Sequence, residues 1–109
     1  MTTIDLGGVL VGAGKPCLVI AEIGINHNGD MTLARKLVEL AADTGCAVAK
    51  GQKRTVDVVY DAEELARPRD NVFGPTNGDL KRGLELSIGD HCELADLARS
   101  RGTRWTASA

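Results

Sequence analysis

Side chains able to do acid–base and hydrogen-bonding chemistry crowd into one short segment near the start of the chain. The segment carries five polar residues, Glu22, Asn26, His27, Asn28 and Asp30. It begins as an apolar strand from Leu18 to Ile23, and the remaining polar residues follow as a loop. In parallel α/β proteins, ligands bind at the carboxyl ends of the strands. A structural turn needs only a glycine and a helix cap, so the extra groups predict a ligand site.

Each candidate residue has a functional and a structural interpretation. Glu22 could handle protons or orient hydroxyl groups, or it could be an exposed acid at a strand terminus. Lys50, at the end of a second short strand, could neutralise an anion or extend to solvent from the sheet. Gln52 both donates and accepts hydrogen bonds, as a sugar hydroxyl or amide requires, or it is a solvated loop residue.

The loop residues carry the same ambiguity. Asn tolerates left-handed backbone, so loop geometry accounts for at least one of Asn26 and Asn28. His27 is a candidate ligand or proton carrier, although a single histidine is more often a hydrogen-bonding loop residue. The other histidine, His91, falls in the first turn of a predicted helix and is expected to be exposed. No complete metal site is therefore predicted within this chain.

The hydrophobic pattern predicts the elements that position these groups. Paired apolar residues around Gly7-Gly8 indicate a hairpin over residues 3–11. Strands are predicted at Leu18 to Ile23, Cys46 to Ala49 and Thr103 to Ala107, the first covered on both faces. Helices capped by Asp30 and Ser87 are predicted to run to Thr44 and Ser100, with Leu33, Leu37, Leu40 and Ala41 on the first apolar face. This alternation predicts a parallel α/β sheet.

The connection over residues 53–86 is far longer than the usual 4–6 residues or so, and long loops at strand ends commonly carry function. Two short helical pieces are predicted in it, Ala62 to Ala66 and Gly78 to Leu86, with Asn77 a candidate cap for the second. Lys53 and Arg54 could steer an anionic substrate or begin a solvated loop. Lys81, Arg82 and Glu85 are predicted to form an ordinary charged helix face.

Composition narrows the class of protein. The chain has 109 residues, a net charge of −2 and no basic stripe, which argues against nucleic acid as a partner. No apolar run reaches about 18 residues, so no membrane span is expected. Three cysteines without a C-x-x-C spacing are expected to be small buried residues in a reducing compartment, and the localisation is predicted to be cytoplasmic.

Several segments together resemble the sialic acid synthase (N-acetylneuraminate synthase) family. They are IAEIGINHNGD, the Lys50-x-Gln52 of AKGQ, QKRTVDVVY, PTNGDLKRGLEL and the closing WTASA. The resemblance implies the N-terminal part of a (β/α)₈ barrel, which by length would be truncated before the metal-binding strands because a barrel needs about 250 residues. The 109 residues are accordingly predicted to form one partial barrel domain, with the hairpin at 3–11 and the first βα units at 18–109.

The resemblance also implies a reaction and a set of roles. The family condenses phosphoenolpyruvate with an N-acyl hexosamine such as N-acetylmannosamine, and requires a divalent metal, Mn or Mg, whose ligands are expected outside this chain. It implies catalytic roles for Glu22 and Lys50, and substrate-binding roles for Gln52, Asn77, Ser108 and Asn26. A homodimer is expected for a full-length protein, whereas this chain alone is predicted to be inactive.

The chain departs from the family pattern at two places, and two alternative functions stay open. Gly51 stands where the family usually has an aromatic or other bulky residue and is expected to leave a hole, and Ser108-Ala109 falls where the family continues with Ser/Thr-Pro. Ser108, the penultimate residue, is expected to be frayed. One alternative is a non-catalytic barrel remnant that acts only through assembly. The other is an unrelated phosphate-binding module, ranked last because no G-x-x-x-x-G-K-[ST] loop is present.

Overall fold

The computed structural model describes residues 2–109 and forms an α/β arrangement with three small sheets. In chain order the strands are β1 (Thr3–Leu6), β2 (Val9–Gly12), β3 (Ile20–Gly24), β4 (Val48–Gln52), β5 (Pro68–Asn71), β6 (Gly74–Thr76) and β7 (Trp105–Ser108). The helices are α1 (Met31–Asp43), α2 (Val56–Val59), α3 (Ala62–Ala66), α4 (Asn77–Gly83) and α5 (Ile88–Ser100).

The central sheet has the order β3-β4-β7, and both pairings are parallel. The predicted parallel α/β pattern is therefore present. Each core strand lies about two residues further along the chain than predicted, so Lys50 and Gln52 fall inside β4 rather than after it. Ser108 is likewise part of β7 and its carbonyl accepts from the Lys53 amide at 2.9 Å, so the expectation that it is frayed is wrong.

The first two strands pair antiparallel around Gly7 and Gly8, as their sequence predicts. Both glycines have positive φ, 61° and 95°, which a two-residue hairpin turn requires. The Asp5 carboxylate accepts from the Gly8 amide at 2.6 Å and closes the turn. Arg104, at the base of β7, donates to the Gly7 carbonyl, so the hairpin is tied to the central sheet.

Helices α1 and α5 begin at the predicted caps. The Asp30 carboxylate accepts from the Thr32 amide at 2.7 Å. Ser87 and Asp90 form a reciprocal capping box at the start of α5. Such caps satisfy amides that have no partner within the helix, which is why the polar residues mark the helix starts so well.

The core lies between these two helices and one face of the central sheet. Its members are small or aliphatic and comprise Ile23, Ala34, Val38, Ala41, Ala49, Leu86, Leu94 and Ala98. The predicted apolar face of α1 is wrong in detail, because Leu33 and Leu40 are 38% and 58% exposed. The small residues at 34 and 41 are buried instead, which lets the helix approach the sheet closely. Ile20 is 49% exposed, so β3 is not covered on both faces as predicted.

The long connection is folded rather than open. It contains the predicted piece Ala62–Ala66, the further short helix α2, and an unpredicted hairpin of β5 and β6. Helix α4 is capped by Thr76 through a capping box with Asp79, so the suggestion that Asn77 is the cap is wrong. Cys17 and Cys92 are exposed and Cys46 is half-buried, which contradicts the expectation of three buried thiols. No helix within residues 2–109 has the length and apolar character to cross a membrane.

Candidate functional site

Glu22 and Lys50 face each other across two neighbouring parallel strands. They are register partners in the β3–β4 pair, and the Lys50 Nζ lies 3.3 Å from the Glu22 Oε2. The side chains are 59% and 34% exposed, respectively, so both can reach a ligand. The sheet thus brings the two predicted catalytic residues together. Since an exposed ion pair contributes only about 0–1 kcal/mol, an incoming anion can replace the Glu22 carboxylate at modest cost.

Toward the carboxyl ends of the strands, the rest of this sheet face is polar. Along β4, Ala49 and Gly51 are buried against the helical side, so alternation places Lys50 and Gln52 on the opposite face. The register pairs Lys50 with Thr106 and Gln52 with Ser108 on β7. Two of the predicted substrate-binding residues, Gln52 and Ser108, are therefore neighbours of each other and of the Glu22–Lys50 pair. Thr106 was not among the predicted site residues. Its position two residues before Ser108 on the same strand, and so on the same face, would have identified it.

Gly51 does not leave the expected hole. A Cβ at this position would lie 2.4 Å from Cη2 and 2.5 Å from Cζ2 of Trp105. The indole fills the space that a bulkier residue would otherwise take. The strand end beneath Lys50 and Gln52 is therefore closely packed by Trp105 from β7.

The loop after β3 is held by its own backbone and by a buried histidine. Asn28 adopts a left-handed φ of 55°, as expected for an asparagine in such a loop. His27 is only 1% exposed and its Nδ1 accepts from the Gly29 amide at 2.9 Å, so it has the hydrogen-bonding loop role. Gly29 lies against α4, where a Cβ would meet the Gly83 carbonyl oxygen. Asn26 is exposed at the strand end, and its amide donates to the Ile23 carbonyl at 3.0 Å.

His91 is not exposed as predicted. It is half-buried, and its Nδ1 accepts from the Trp105 Nε1 at 3.1 Å. Its Nε2 is buried without a hydrogen-bond partner among residues 2–109. Burial lowers the pKa of His91 below 6.5, and Lys53 lowers it further, against the opposing effect of Glu85 and Asp90. Burial also lowers the pKa of His27, with His91 adding to the effect and Glu85 opposing it.

Glu85 organises the start of the long connection. Its Oε2 accepts from the Lys53 Nζ at 3.3 Å and from the Arg54 amide at 3.1 Å, with the carboxylate side chain only 18% exposed. Arg82 instead pairs with Asp57 at 2.6 Å. The prediction of an ordinary charged face at Lys81, Arg82 and Glu85 is therefore wrong, because Arg82 of α4 and Glu85 just after it bind residues that follow β4. Sequence reasoning missed this because the partners lie 31 and 32 residues apart.

Asn77 is buried, with an exposed fraction of 3%, and bonds within the long connection. Its Oδ1 accepts from the Arg69 Nη1 at 3.3 Å. Its Nδ2 lies 3.3 Å from both the Glu64 carbonyl and the Glu64 Oε1. These partners are separate from the Glu22–Lys50 group, and the substrate-binding role of Asn77 stays a prediction.

Residues 2–109 do not present a set of side chains that fits a metal ion. Within residues 2–109 no group of three His, Cys, Asp or Glu side chains is arranged to hold one. The two histidines also use Nδ1 to accept N–H hydrogen bonds.

These elements define a parallel α/β sheet with helices on one face and a charged, hydrogen-bonding row on the other. In sequence, the chain is similar to human N-acetylneuraminate-9-phosphate synthase, with 38% identity over 93% of the chain and 29% of that protein. It is 58% identical to N,N'-diacetyllegionaminic acid synthase of Campylobacter jejuni over 73% of the chain and 25% of that protein. No protein-family model matches the chain.

The fold is similar to a solved structure of the same kind. The N-acetylneuraminic acid (sialic acid) synthetase of Leptospira borgpetersenii superposes with a TM-score of 0.77 at 21% identity. The match covers 97% of this chain and 33% of that one. The resemblance to the sialic acid synthases is thereby confirmed, and the chain spans between a quarter and a third of the length of these relatives.

Proposed function

We propose that this chain supplies part of the active site of a sialic-acid-type synthase, which condenses phosphoenolpyruvate with N-acetylmannosamine or a related N-acyl hexosamine. The observation that supports it is the in-register Glu22–Lys50 pair, 3.3 Å apart on the sheet face opposite α1 and α5. In this proposal the sheet is the first part of a (β/α)₈ barrel. The polar row, formed by Glu22, Lys50, Gln52, Thr106 and Ser108, faces the barrel interior.

The reaction joins two carbon atoms and releases phosphate. Carbon 3 of phosphoenolpyruvate forms a bond to the aldehyde carbon of the open-chain sugar, and the aldehyde oxygen takes up a proton. Carbon 2, left electron-poor, adds water, and the resulting tetrahedral intermediate expels phosphate to give the 2-keto acid. A divalent metal in the complete protein would act as a Lewis acid, with its ligands elsewhere.

The residues of this chain have defined parts in that scheme. Lys50 lies where its ammonium can neutralise the carboxylate or phosphate of phosphoenolpyruvate, an effect that strengthens as water is excluded. Glu22, freed from Lys50 by the anion, can accept or donate a proton near the sugar or the added water. Gln52 and Ser108 can hydrogen-bond sugar hydroxyl or amide groups. Asn26 and Asn77 are proposed to contribute further substrate contacts.

The wider setting follows from the same proposal. We expect a cytoplasmic enzyme of carbohydrate biosynthesis, active as a homodimer when full length. The 109-residue chain alone is expected to bind substrate without turning it over.

The test measures phosphoenolpyruvate binding to this chain from the broadening of its phosphorus NMR signal. Glu22→Gln should keep or strengthen binding, because it removes the carboxylate that competes for Lys50. Lys50→Gln should weaken it about tenfold, the usual magnitude for losing one charged hydrogen bond. The control Lys36→Gln removes an equal charge from an exposed helix position. Equal binding by the Lys50 and Lys36 variants would contradict the proposal.

A second candidate is a non-catalytic role through assembly. Within residues 2–109, β3 and β7 each pair with one strand only, and Ile20 on the open face is half exposed. Unpaired strand edges and exposed apolar surface favour association. Sedimentation velocity at two concentrations tests this candidate, and a monomer at both would contradict it.

A further inference from the structure

The carboxyl end of β4 is supported unequally on its two sides. Toward β3 the pairing ends at Gly51, whose register partner is Gly24. Gln52 follows as the last residue of the strand, and its register partner is Ser108 of β7. Among residues 2–109, no strand pairs with Gln52 on the β3 side. The backbone here therefore has a strand neighbour on one side only, and strand ends of this kind fray most readily.

Glu85 supplies the missing support just beyond the strand end. Its Oε2 accepts from the Lys53 Nζ at 3.3 Å and from the Arg54 amide at 3.1 Å. The Lys53 Nζ also donates to the Arg54 carbonyl at 3.1 Å, and the Lys53 amide donates to the Ser108 carbonyl at 2.9 Å. Since the Glu85 side chain is only 18% exposed, these charge-assisted bonds are partly shielded from water. One carboxylate thus binds both residues that follow Gln52.

Glu85 is itself fixed by the core and by the helix that follows it. It lies between α4 and α5, and its amide donates to the Arg82 carbonyl at 3.2 Å. The next residue, Leu86, is 4% exposed and belongs to the core. Ser87 then begins α5 with a capping box. The carboxylate therefore projects from a well-anchored segment, and the end of β4 is held in place relative to that segment.

The Gln52 amide extends toward β3. A Cβ on Gly24 would lie 3.9 Å from the Gln52 Nε2, so the amide group reaches the end of that strand. Glu22 lies two residues before Gly24 on the same strand. The direction of a side chain follows from its backbone, so a shift of Lys53 or Arg54 would redirect this amide.

We infer that Glu85 is a positioning residue for Gln52. It acts through Lys53 and Arg54, and it keeps the Gln52 amide directed at the substrate without contacting the substrate itself. The inference rests on the proposed function, in which Gln52 hydrogen-bonds a hydroxyl or amide group of an N-acyl hexosamine. It adds a residue whose contribution to binding is indirect and depends on the geometry at the end of one strand.

Lys50 provides an internal comparison. It lies two residues before Gln52 and has register partners on both sides, Glu22 and Thr106. Its position should therefore not depend on Glu85. Loss of the Glu85 carboxylate should weaken the contact of Gln52 with the sugar, whereas phosphoenolpyruvate bound by Lys50 should bind no more weakly than before.

The experiment first observes Gln52 without a ligand. Gln52 is the only glutamine of the chain, so nitrogen-15 labelling of glutamine side chains gives the NMR signals of this amide alone. Glu85→Ala should shift these signals, and Glu85→Gln should shift them less, because its neutral oxygen can still accept from the Arg54 amide. Glu39→Gln is the matched control and should leave them unchanged, since the ion pair of Glu39 with Arg101 lies before the start of β7.

The second step measures binding of N-acetylmannosamine from the broadening of its acetyl methyl proton signal. Gln52→Ala and Glu85→Ala should each weaken binding about twofold to tenfold, the range for one net hydrogen bond. In the Gln52→Ala background, Glu85→Ala should cause no further loss, as expected for two residues that act through one contact. Circular dichroism confirms that each variant is folded. If Glu85→Ala does not fold, Glu85→Gln and Lys53→Met, which removes the Nζ donor, replace it in the same comparisons.

Four outcomes would overturn the inference. They are Gln52 signals that stay unchanged in the folded Glu85 variants, sugar affinity that stays unchanged although those signals shift, additive losses in the double variant, and an equal loss of affinity for phosphoenolpyruvate. An unaltered chain that does not bind N-acetylmannosamine would overturn it as well. The proposed function is judged separately, because it stands if phosphoenolpyruvate binding requires Lys50 and is contradicted if that binding ignores Lys50.

Discussion

The Trp105 indole donates its Nε1 hydrogen to the Nδ1 of His91 across 3.1 Å, and the two ring centroids lie 5.7 Å apart. Because Nδ1 accepts, the neutral imidazole carries its own hydrogen on Nε2, which is buried without a partner among residues 2–109. Protonating His91 would require Nδ1 to carry a hydrogen too, and the bond to Trp105 would be lost. The fold thus favours the neutral ring.

The first prediction concerns the pH dependence of stability. Burial lowers the pKa values of both His27 and His91 in the folded chain relative to 6.5. The unfolded chain therefore binds protons more readily, and the stability gained from neutral histidines is present above pH 6.5 and lost as pH falls below it. We expect the free energy of unfolding, measured by urea denaturation, to decrease from pH 7.5 to pH 5.5.

The matched variant for this prediction is His91→Asn, whose side-chain oxygen can still accept from Trp105. It should show a shallower dependence on pH over the same interval, and combining it with His27→Gln should flatten it further. Since Trp105 is the only tryptophan, its fluorescence gives a second readout of His91. An unchanged slope in the double variant would mean that other groups control the pH dependence.

The second prediction concerns the contact of Gly51 with Trp105. Gly51→Ala places a methyl group 2.4 Å from the indole and should destabilise the chain by about 1–3 kcal/mol, the usual cost of overpacking. Gly89→Ala is the control, since a Cβ there meets nothing closer than 3.7 Å and the position is helical, where alanine is favoured. Chemical denaturation measures both.

A smaller residue at position 105 tests whether the indole causes the destabilisation by Gly51→Ala. Trp105→Leu makes room above Gly51, so it should cost less in the Gly51→Ala background than in the original chain. A double-mutant cycle gives the coupling free energy directly. Additive effects of the two substitutions would show that the methyl group is accommodated without displacing the indole.

Local signals in the sequence predicted the parts of the fold that depend on local physics. The hydrogen bonds that form the caps at Asp30 and Ser87 and close the Gly7-Gly8 turn join residues two or three positions apart. Local sequence patterns therefore predict them. That Lys50 and Glu22 lie close together could be inferred from the sequence, because the carboxyl ends of parallel strands lie at the same edge of a sheet. Strand limits were less accurate, since they depend on which residues find partners across the sheet.

Apart from the local β5–β6 hairpin and the Thr76 cap, the main unpredicted contacts join distant segments of the chain. His91 bonds Trp105 from 14 positions away, and Glu85 binds the segment at Lys53 and Arg54 from across the long connection. No local periodicity encodes such pairs. The misassigned face of α1 has a similar origin, because a close approach to the sheet selects Ala34 and Ala41 over larger neighbours.

The third prediction separates two roles of Asn77. Its buried amide bonds Glu64 and Arg69, so Asn77→Ala should lower the free energy of unfolding by about 1–3 kcal/mol, the cost of leaving buried partners unsatisfied. Asn71→Ala, in the β5–β6 hairpin, is the comparison, because the Asn71 amide also donates hydrogen bonds but is only partly buried. If the Asn77 variant is as stable as the original chain but loses ligand binding, the side chain acts in the site rather than in the fold.

The fourth prediction is that the Glu22–Lys50 pair contributes little to stability. Both side chains are substantially exposed, at 59% and 34%, and such ion pairs are worth only about 0–1 kcal/mol. Glu22→Gln and Lys50→Gln should therefore each change the free energy of unfolding by less than about 1 kcal/mol. Urea denaturation at two salt concentrations checks this, because screening weakens whatever attraction exists.

That small structural contribution makes the pair a clean probe of binding. The Arg35–Glu93 pair joins α1 to α5 at 2.9 Å, away from the polar row, and provides the control. Removing Arg35 should leave phosphoenolpyruvate binding unchanged, whereas Lys50→Gln should weaken it in a chain that is still folded. A Lys50 variant that unfolds would instead assign the lysine a structural role, because the ion pair would then be holding β3 against β4.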